Sequence, residues 1–458
     1  MSDSNPRYER RAREDAKDGD RRTPGQRDYD RIIYCSAFMR LAGVSQVAHT
    51  SDSAIVHNRM IHSLKVSTIG RGLAVRLAAN QPDIMEQIGG LDSDVVAAAA
   101  LGHDLGHPPF GHVAERELDH LVQQTLGEKG FSGFEGNAQS FRVVTKLAVR
   151  RRDVRGLNLT RATLNAILKY PWLREAAGTQ RKKWGAYHTE NDDFEFTRKD
   201  AIPKQRSVEA EIMDFADDVT YSTHDLEDYY RAGLIPLDRL FSDKRERDRF
   251  LEASIKKWSG EDKKTNEEEC ETAFNKIFDS EAWFGSEFVE PYNGTRRQRG
   301  AIRSFASTLI DWFFRDIHLC IPKNNQGRFV EIDPDTKLQI KILKQLIWYY
   351  VIPNKSLSIQ EEGQRRIIKT LFQAFLHSDQ SDGHKHEFHI HRDLLAPRYR
   401  EQLDEFDNGK ERLDDDLEQE KVRVVVDAIA EMSEFQAVQA YARLTGYASD
   451  SFLDFAQR

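Results

Sequence analysis

The segment Leu101-Gly-His-Asp-Leu-Gly-His-Pro-Pro-Phe-Gly-His112 sets three histidines and one aspartate among glycines and prolines. The run before it, Val95 to Leu105, is Ala-rich and strongly helix-forming, and Asp92 or Ser93 can cap it. Pro108 and Pro109 interrupt that run. Proline is well placed at a helix start, so a new helix is expected from near Phe110 through Leu121. Imidazole nitrogen and carboxylate oxygen together suit a divalent metal such as Mn²⁺, Fe²⁺, Co²⁺, Ni²⁺ or Zn²⁺. Neighbouring helix residues diverge by about 100°, so His103 and Asp104 share an ion only in a crevice that both border. Further ligands must then come from other helices.

Upstream, His62, Val66, Ile69, Leu73 and Leu77 recur at three- and four-residue steps and trace one helix face. His62 lies on that apolar face, where an unpaired imidazole is costly, which makes it a candidate ligand. Downstream, the acidic segment Glu209–Asp225 places Asp217, Tyr221 and Asp225 at i, i+4 and i+8 on one stripe. Asp218 rivals Asp217 by proximity but lies off the stripe. A single histidine on an apolar face is more often a hydrogen-bonded core residue, and an acidic helix is more often solvated. The candidate metal set His62, His103, Asp104 and Asp217 therefore rests on the combination.

Helical patterning continues at 137–150, 160–169, 207–231, 300–319, 335–351, 360–376 and 418–442, with a small hairpin expected within 184–200. Charged runs at 242–270 and 403–422 read as exposed helix faces. Strand signals are sparse, so an all-α bundle is expected. Residues 1–30 carry almost nothing apolar and read as a flexible charged arm, followed by a core over 31–235 and a helical part over 236–458 that completes the pocket and the oligomer contacts. Of the 458 residues, 39% are hydrophobic and 31% charged, a soluble globular balance. No apolar run reaches bilayer length, and the N-terminus lacks an apolar signal core. The three cysteines are widely spaced, which argues against a disulfide framework and suits a cytoplasmic location. A net charge of −8 gives no general pull towards nucleic acid, so an anionic substrate would require a local basic pocket.

The series His62 … His103-Asp104 … Asp217 resembles the H…HD…D signature of the HD phosphohydrolases. Arg40-Leu41, His57–Val66, Gly102–His112, Phe134–Ser140, Lys169-Tyr-Pro-Trp172 and Glu211–Asp228 are similar to one branch, the deoxynucleoside triphosphate triphosphohydrolases, including deoxyguanosinetriphosphate triphosphohydrolase. These motifs cover residues 30–235; beyond about 240 the likeness is one of length and helical character. Branches acting on guanosine tetraphosphate carry an acidic pair where this chain has Gly106-His107-Pro108. The Gly-Tyr-Pro motif of the cyclic-dinucleotide branch is absent from the sequence.

The resemblance implies an HD-domain helical bundle with additional C-terminal helices that hydrolyses deoxynucleoside triphosphates, dGTP among them, to deoxynucleoside and tripolyphosphate. It implies a divalent cofactor, Mn²⁺ or Mg²⁺ first, and His112 as acid or base near the α-phosphate. Glu115, three residues on, lies on the same helical face and can orient the imidazole. Arg59 matches a phosphate-binding arginine, and Asn137 and Lys169 are weaker candidates for that task. His107 reads as a phosphate contact or as a stabiliser of the Pro-Pro turn. Tyr221 matches a tyrosine that stacks on the deoxyribose, Asp225 an acceptor for the 3′-hydroxyl, and Gln46 with Val47 positions near sugar and base. The family also implies a homo-oligomer (tetramer or hexamer) and a nucleotide activator. Some relatives bind single-stranded nucleic acid, for which the arginine-rich stretches 7–31, 150–161 and 295–303 are candidates. The alternatives are an HD phosphohydrolase acting on another nucleotide and a nucleic-acid-binding protein with a secondary hydrolase site.

Overall fold

The computed structural model describes residues 5–14, 18–46, 57–127, 133–174, 182–261, 266–278, 287–323, 327–353, 355–378, 388–408 and 414–447. The fold is all-α, as expected. The described strands are two short antiparallel pairs, Ile317–Leu319 with Val330–Ile332 and Leu376–Ser378 with Phe388–Ile390.

Its centre is an alanine helix. Helix α1 is Pro24–Ile33, α2 is Arg59–Asn80 and α3 is Ser93–Gly102. Asp92 caps α3, accepting from the backbone N–H groups of Asp94 and Val95. Every residue of α3 from Asp94 to Gly102 is buried, because α1, α2, Arg161–Ile167 and Val208–Thr220 pack around it. Alanine side chains allow such close approach. Gly70 of α2 shows how tight it is: a Cβ there would lie 3.0 Å from Val96 Cγ1 and 3.3 Å from Ala216 Cβ.

Helix α4, His112–Leu126, belongs to a second core. Its Ala114, Leu118, Leu121 and Val122 pack with Ile368, Leu371 and Phe372, and with Val424 to Val426. The C-terminal half of the chain thus fixes the helix that carries His112 and Glu115.

Three expectations are corrected. Residues 5–14 do not stand out as a solvated arm. Arg10 pairs with the buried Asp28, Arg7 with Glu209, and Glu14 with Arg31 at 2.9 Å, so ion pairs dock a segment that has little apolar surface to bury. The expected helix over 418–442 is two helices, Asp414–Ala430 and Glu434–Leu444, because Ser433 forms a capping box with Gln436. No hairpin occupies 184–200 among the described residues; Asn191–Arg198 is helical, and Ala186 makes only an isolated bridge to Leu173.

Candidate active site

Helix α3 stops at Gly102, and His103 to Gly106 form a turn. The turn, unlike the helix expected through Leu105, lets His103 and Asp104 face one crevice. Helix α5, Gly136–Arg142, clamps it from behind. Ser140 Oγ donates to the His103 carbonyl at 2.7 Å and accepts the Gly106 N–H at 2.9 Å. A Cβ on Gly106 would lie 2.2 Å from the Ser140 nitrogen, so only glycine fits.

The turn, α2 and helix α6, Val208–Thr220, bring four side chains together. His103 Nδ1 donates to the Ala100 carbonyl at 2.7 Å, which leaves Nε2 towards the crevice. There it lies 3.5 Å from Asp104 Oδ1 and 3.8 Å from Asp217 Oδ1. His62 Nε2 lies 3.0 Å from the same Asp217 oxygen, and His62, His103 and Asp104 are all buried. Asp218 is turned away, its Oδ1 2.7 Å from Lys344 Nζ.

The electrostatics favour charge on the acids. Burial opposes the Asp104 carboxylate, but His103, His107 and Arg59 outweigh it and hold it well below the usual range. Burial likewise opposes Asp217, and Lys169 and His62 hold it low. Burial would pull the His62 imidazolium down, yet without a metal Asp217 and Asp225 push it up to about 10, so binding a cation at His62 Nε2 would release that proton. Two imidazole Nε2 atoms and two ionised carboxylates converging in a buried crevice fit a divalent cation in number and chemistry, and His62, His103 and Asp104 present ligand atoms close enough together to hold one.

Around this group the structure places the other expected residues. Arg59 is 3% exposed; its Nη1 donates to Asp104 Oδ2 at 2.9 Å and its Nη2 to the Gln46 carbonyl at 3.3 Å. His107 Nδ1 lies 3.0 Å from Asp104 Oδ1, and burial with the neighbouring Arg59 pulls its imidazolium down to about 4. The His107 and His112 rings are 5.5 Å apart. His112 is the solvent-facing member, with Nδ1 3.0 Å from Glu115 Oε2. An ionised carboxylate only accepts, so Nδ1–H donates and Nε2 is left free of Glu115. Lys169 Nζ bridges Asp214 at 2.7 Å and Asp217 at 2.9 Å. Asn137 Nδ2 donates to Glu135 at 2.7 Å. Tyr221 is half-buried beside Lys344, whose Nζ lies 5.8 Å from the ring centre. Val47 lies outside the described residues.

Asp225 departs from the expected stripe. Helix α6 widens into a π turn over Tyr221–Asp225, so the regular i+8 offset from Asp217 is lost. The Asp225 carboxylate is buried, 3.1 Å from His57 Nε2 and 3.9 Å from His62 Nδ1, while Asp228 holds the other His57 nitrogen. Asp225 and Asp217 therefore flank one candidate metal ligand, at opposite nitrogens of the His62 ring. Sequence reasoning missed His57, Asp228 and also Lys183, whose Nζ lies 2.8 Å from Glu115 and 3.0 Å from Glu135. It also missed Glu434, which accepts from the backbone N–H groups of Ser45 and Phe110, and Arg40, which donates to the Leu105 and His107 carbonyls. His57 belongs to a motif that carried the resemblance, as does Arg40; Lys183 and Glu434 carry no local signal.

Two family models match the chain: an HD domain over residues 59–222 and a phosphohydrolase-associated domain over 330–443. A deoxyguanosinetriphosphate triphosphohydrolase-like protein of Streptomyces coelicolor is 32% identical over 443 residues, covering 93% of each chain. One from Wolinella succinogenes is 31% identical over 93% of this chain and 96% of its own. One from Caulobacter sp. (strain K31) is 41% identical over 222 residues, 48% of this chain and 50% of its own. With the turn-borne HD dipeptide and a match that runs nearly end to end, this chain belongs to the deoxyguanosinetriphosphate triphosphohydrolase-like family of HD-domain phosphohydrolases.

Proposed function

We propose that the protein is a deoxynucleoside triphosphate triphosphohydrolase, in which His62, His103, Asp104 and Asp217 hold one divalent ion, Mn²⁺ or Mg²⁺ first. The convergence of those four side chains beside Arg59 and the His112–Glu115 pair is the observation that carries this reading. When bound, the ion supplies Lewis acidity towards a phosphoryl oxygen.

The chain's own residues do the rest. Arg59 and Lys169 bring positive charge to a site whose substrate carries three phosphates. Each is paired to a metal-site aspartate here, which holds its head group at the crevice. Glu115 keeps the His112 ring oriented, so Nε2 is the atom for proton transfer at the 5′ oxygen as it leaves. His107, neutral and wedged against Asp104, steadies the acid and the Pro-Pro turn, and its other nitrogen remains for phosphate. Tyr221 presents a ring that would close against C2′ of the sugar and leave no room for a ribose hydroxyl. Asp225, against His57 and His62, serves to hold a ligand histidine in place.

The test is to strip the purified protein of metal, add each dNTP with Mn²⁺ or Mg²⁺, and measure tripolyphosphate. Release from at least one dNTP, dependent on added metal, is expected. No release from any dNTP with any divalent metal would overturn the proposal.

A further inference from the structure

The His112–Glu115 pair continues into a network, with the carboxylates buried and the Lys183 side chain 36% exposed, that the reaction as proposed does not call on. Glu115 uses Oε2 for His112 and Oε1 for Lys183, 2.8 Å away. Lys183 Nζ also lies 3.0 Å from Glu135 Oε1. Glu135 is 1% exposed and caps α5, accepting from the Asn137 N–H at 2.6 Å and the Ala138 N–H at 3.0 Å. Two buried carboxylates thus share one ammonium group. Burial and the neighbouring Glu115 raise Glu135 above the usual carboxylate range, whereas Glu115, opposed by burial, is held low by His112 and Lys183.

The backbone around Lys183 is built to deliver it there. Trp172 Nε1 donates to the Lys183 carbonyl at 2.8 Å, and the Gly185 N–H donates to the Trp172 carbonyl at 3.0 Å. Trp184 is buried under the Arg174 guanidinium, 4.4 Å from its ring centre. The Tyr187 hydroxyl reaches the Glu135 carbonyl at 3.2 Å.

We propose that Lys183 is a positioning residue for proton transfer: by holding Glu115 Oε1 it fixes the carboxylate plane that orients His112, acting through Glu115 and not on the substrate. This deepens the reading of the site given above and rests on it for its kinetic part. Without the ammonium, two like charges face each other in a buried pocket, and one must take a proton or turn away. Glu115 then loses one of the two contacts that fix its plane and is free to rotate off His112 Nδ1. The charge of Lys183 is engaged by Glu115 and Glu135, so its loss lowers turnover and not substrate affinity.

The test uses Lys183→Met, Lys183→Arg, Glu115→Gln and the Glu115→Gln/Lys183→Met double variant. Lys183→Met is expected to lower kcat by about 10- to 100-fold with KM within about twofold, a partial loss of the roughly 10²–10⁴-fold that a positioned proton-transfer group contributes. Lys183→Arg restores most of it, and Lys183→Met adds no further loss to Glu115→Gln. An independent readout needs no turnover: imidazole ¹⁵N spectra of the metal-free protein, with His112 assigned by Glu-independent loss of its signal in His112→Gln. The Nδ1 signal of His112 should move in Lys183→Met towards its position in Glu115→Gln. An unmoved His112 signal, additive losses in the double variant, or a raised KM at unchanged kcat would overturn the proposal. If Lys183→Met fails to fold, Lys183→Gln carries the same readouts. If the wild-type protein releases no tripolyphosphate, the functional reading falls, and the His112 signal still decides the role of Lys183.

Discussion

The Asp104 carboxylate is shared three ways within the site. Arg59 takes Oδ2, His107 takes Oδ1, and His103 Nε2 approaches the same Oδ1 at 3.5 Å. Asp104→Asn keeps the volume but removes the charge that Arg59 and a metal both require. Metal binding measured by calorimetry should be lost, with turnover down by at least about 10³-fold, of the order lost with a key electrostatic group. Retained turnover would show that the ligand assignment is wrong. Tyr221→Ala should shrink discrimination between dGTP and GTP by about 10-fold or more, the worth of a steric contact of this size; unchanged discrimination would remove Tyr221 from the sugar site. His107 gives a pH dependence. Its imidazolium is pulled to about 4, below the unfolded value of about 6.5, so the unfolded chain binds the extra proton between those limits. Stability of the metal-free protein should therefore be full above about pH 6.5 and fall by up to about 3 kcal/mol as pH drops towards 4. Denaturant melts of His107→Gln should lack that component.

Among the elements, the turn after α3 decides the geometry. Gly106→Ala would drive a methyl group into the Ser140 and Gly136 backbone, 2.2–2.3 Å away. Relief requires α5 to move, and the melting temperature should fall by an amount equivalent to about 3 kcal/mol or more. Unchanged melting would mean that the clamp is loose. The sequence carried the element types well: Asp92 as the α3 cap, the His62 face of α2 and the acidic α6 are all legible from periodicity and capping chemistry. It did not carry where helices yield to tertiary demand. The α3 pattern runs on through Leu105, yet the chain leaves the helix at Gly102 because Ser140 bonds the turn. The π turn at Tyr221–Asp225 leaves no mark on the residue spacing, yet it sets Asp225 against His57 and one nitrogen of His62, while Asp217 meets the other. Lys183 was invisible because its partners are 68 and 48 residues away in the chain.

At the scale of the molecule, the C-terminal half braces the HD turn. Asp427 accepts from Arg142 Nε at 2.9 Å and Nη2 at 2.7 Å, and from Gln139 Nε2 at 2.7 Å; both partners lie on α5. Arg142 is 6% exposed and also pairs with Glu190 at 2.6 Å. Asp427→Ala leaves a buried guanidinium half-paired and should cost about 3–5 kcal/mol in a denaturant melt. Because α5 holds the turn of His103 and Asp104, metal affinity should fall as well; a stability loss with unchanged metal affinity would separate the brace from the site. No helix among the described residues is long and apolar enough to cross a membrane. The proposed reaction is metal-dependent attack of water on the α-phosphorus of a dNTP. The most direct measurement is turnover of dGTP in H₂¹⁸O with Mn²⁺, read by ³¹P NMR and mass spectrometry. The expected result is intact tripolyphosphate with ¹⁸O on one terminal phosphorus and deoxyguanosine without label. Orthophosphate or pyrophosphate as the released product, or ¹⁸O in the deoxyguanosine, would contradict it.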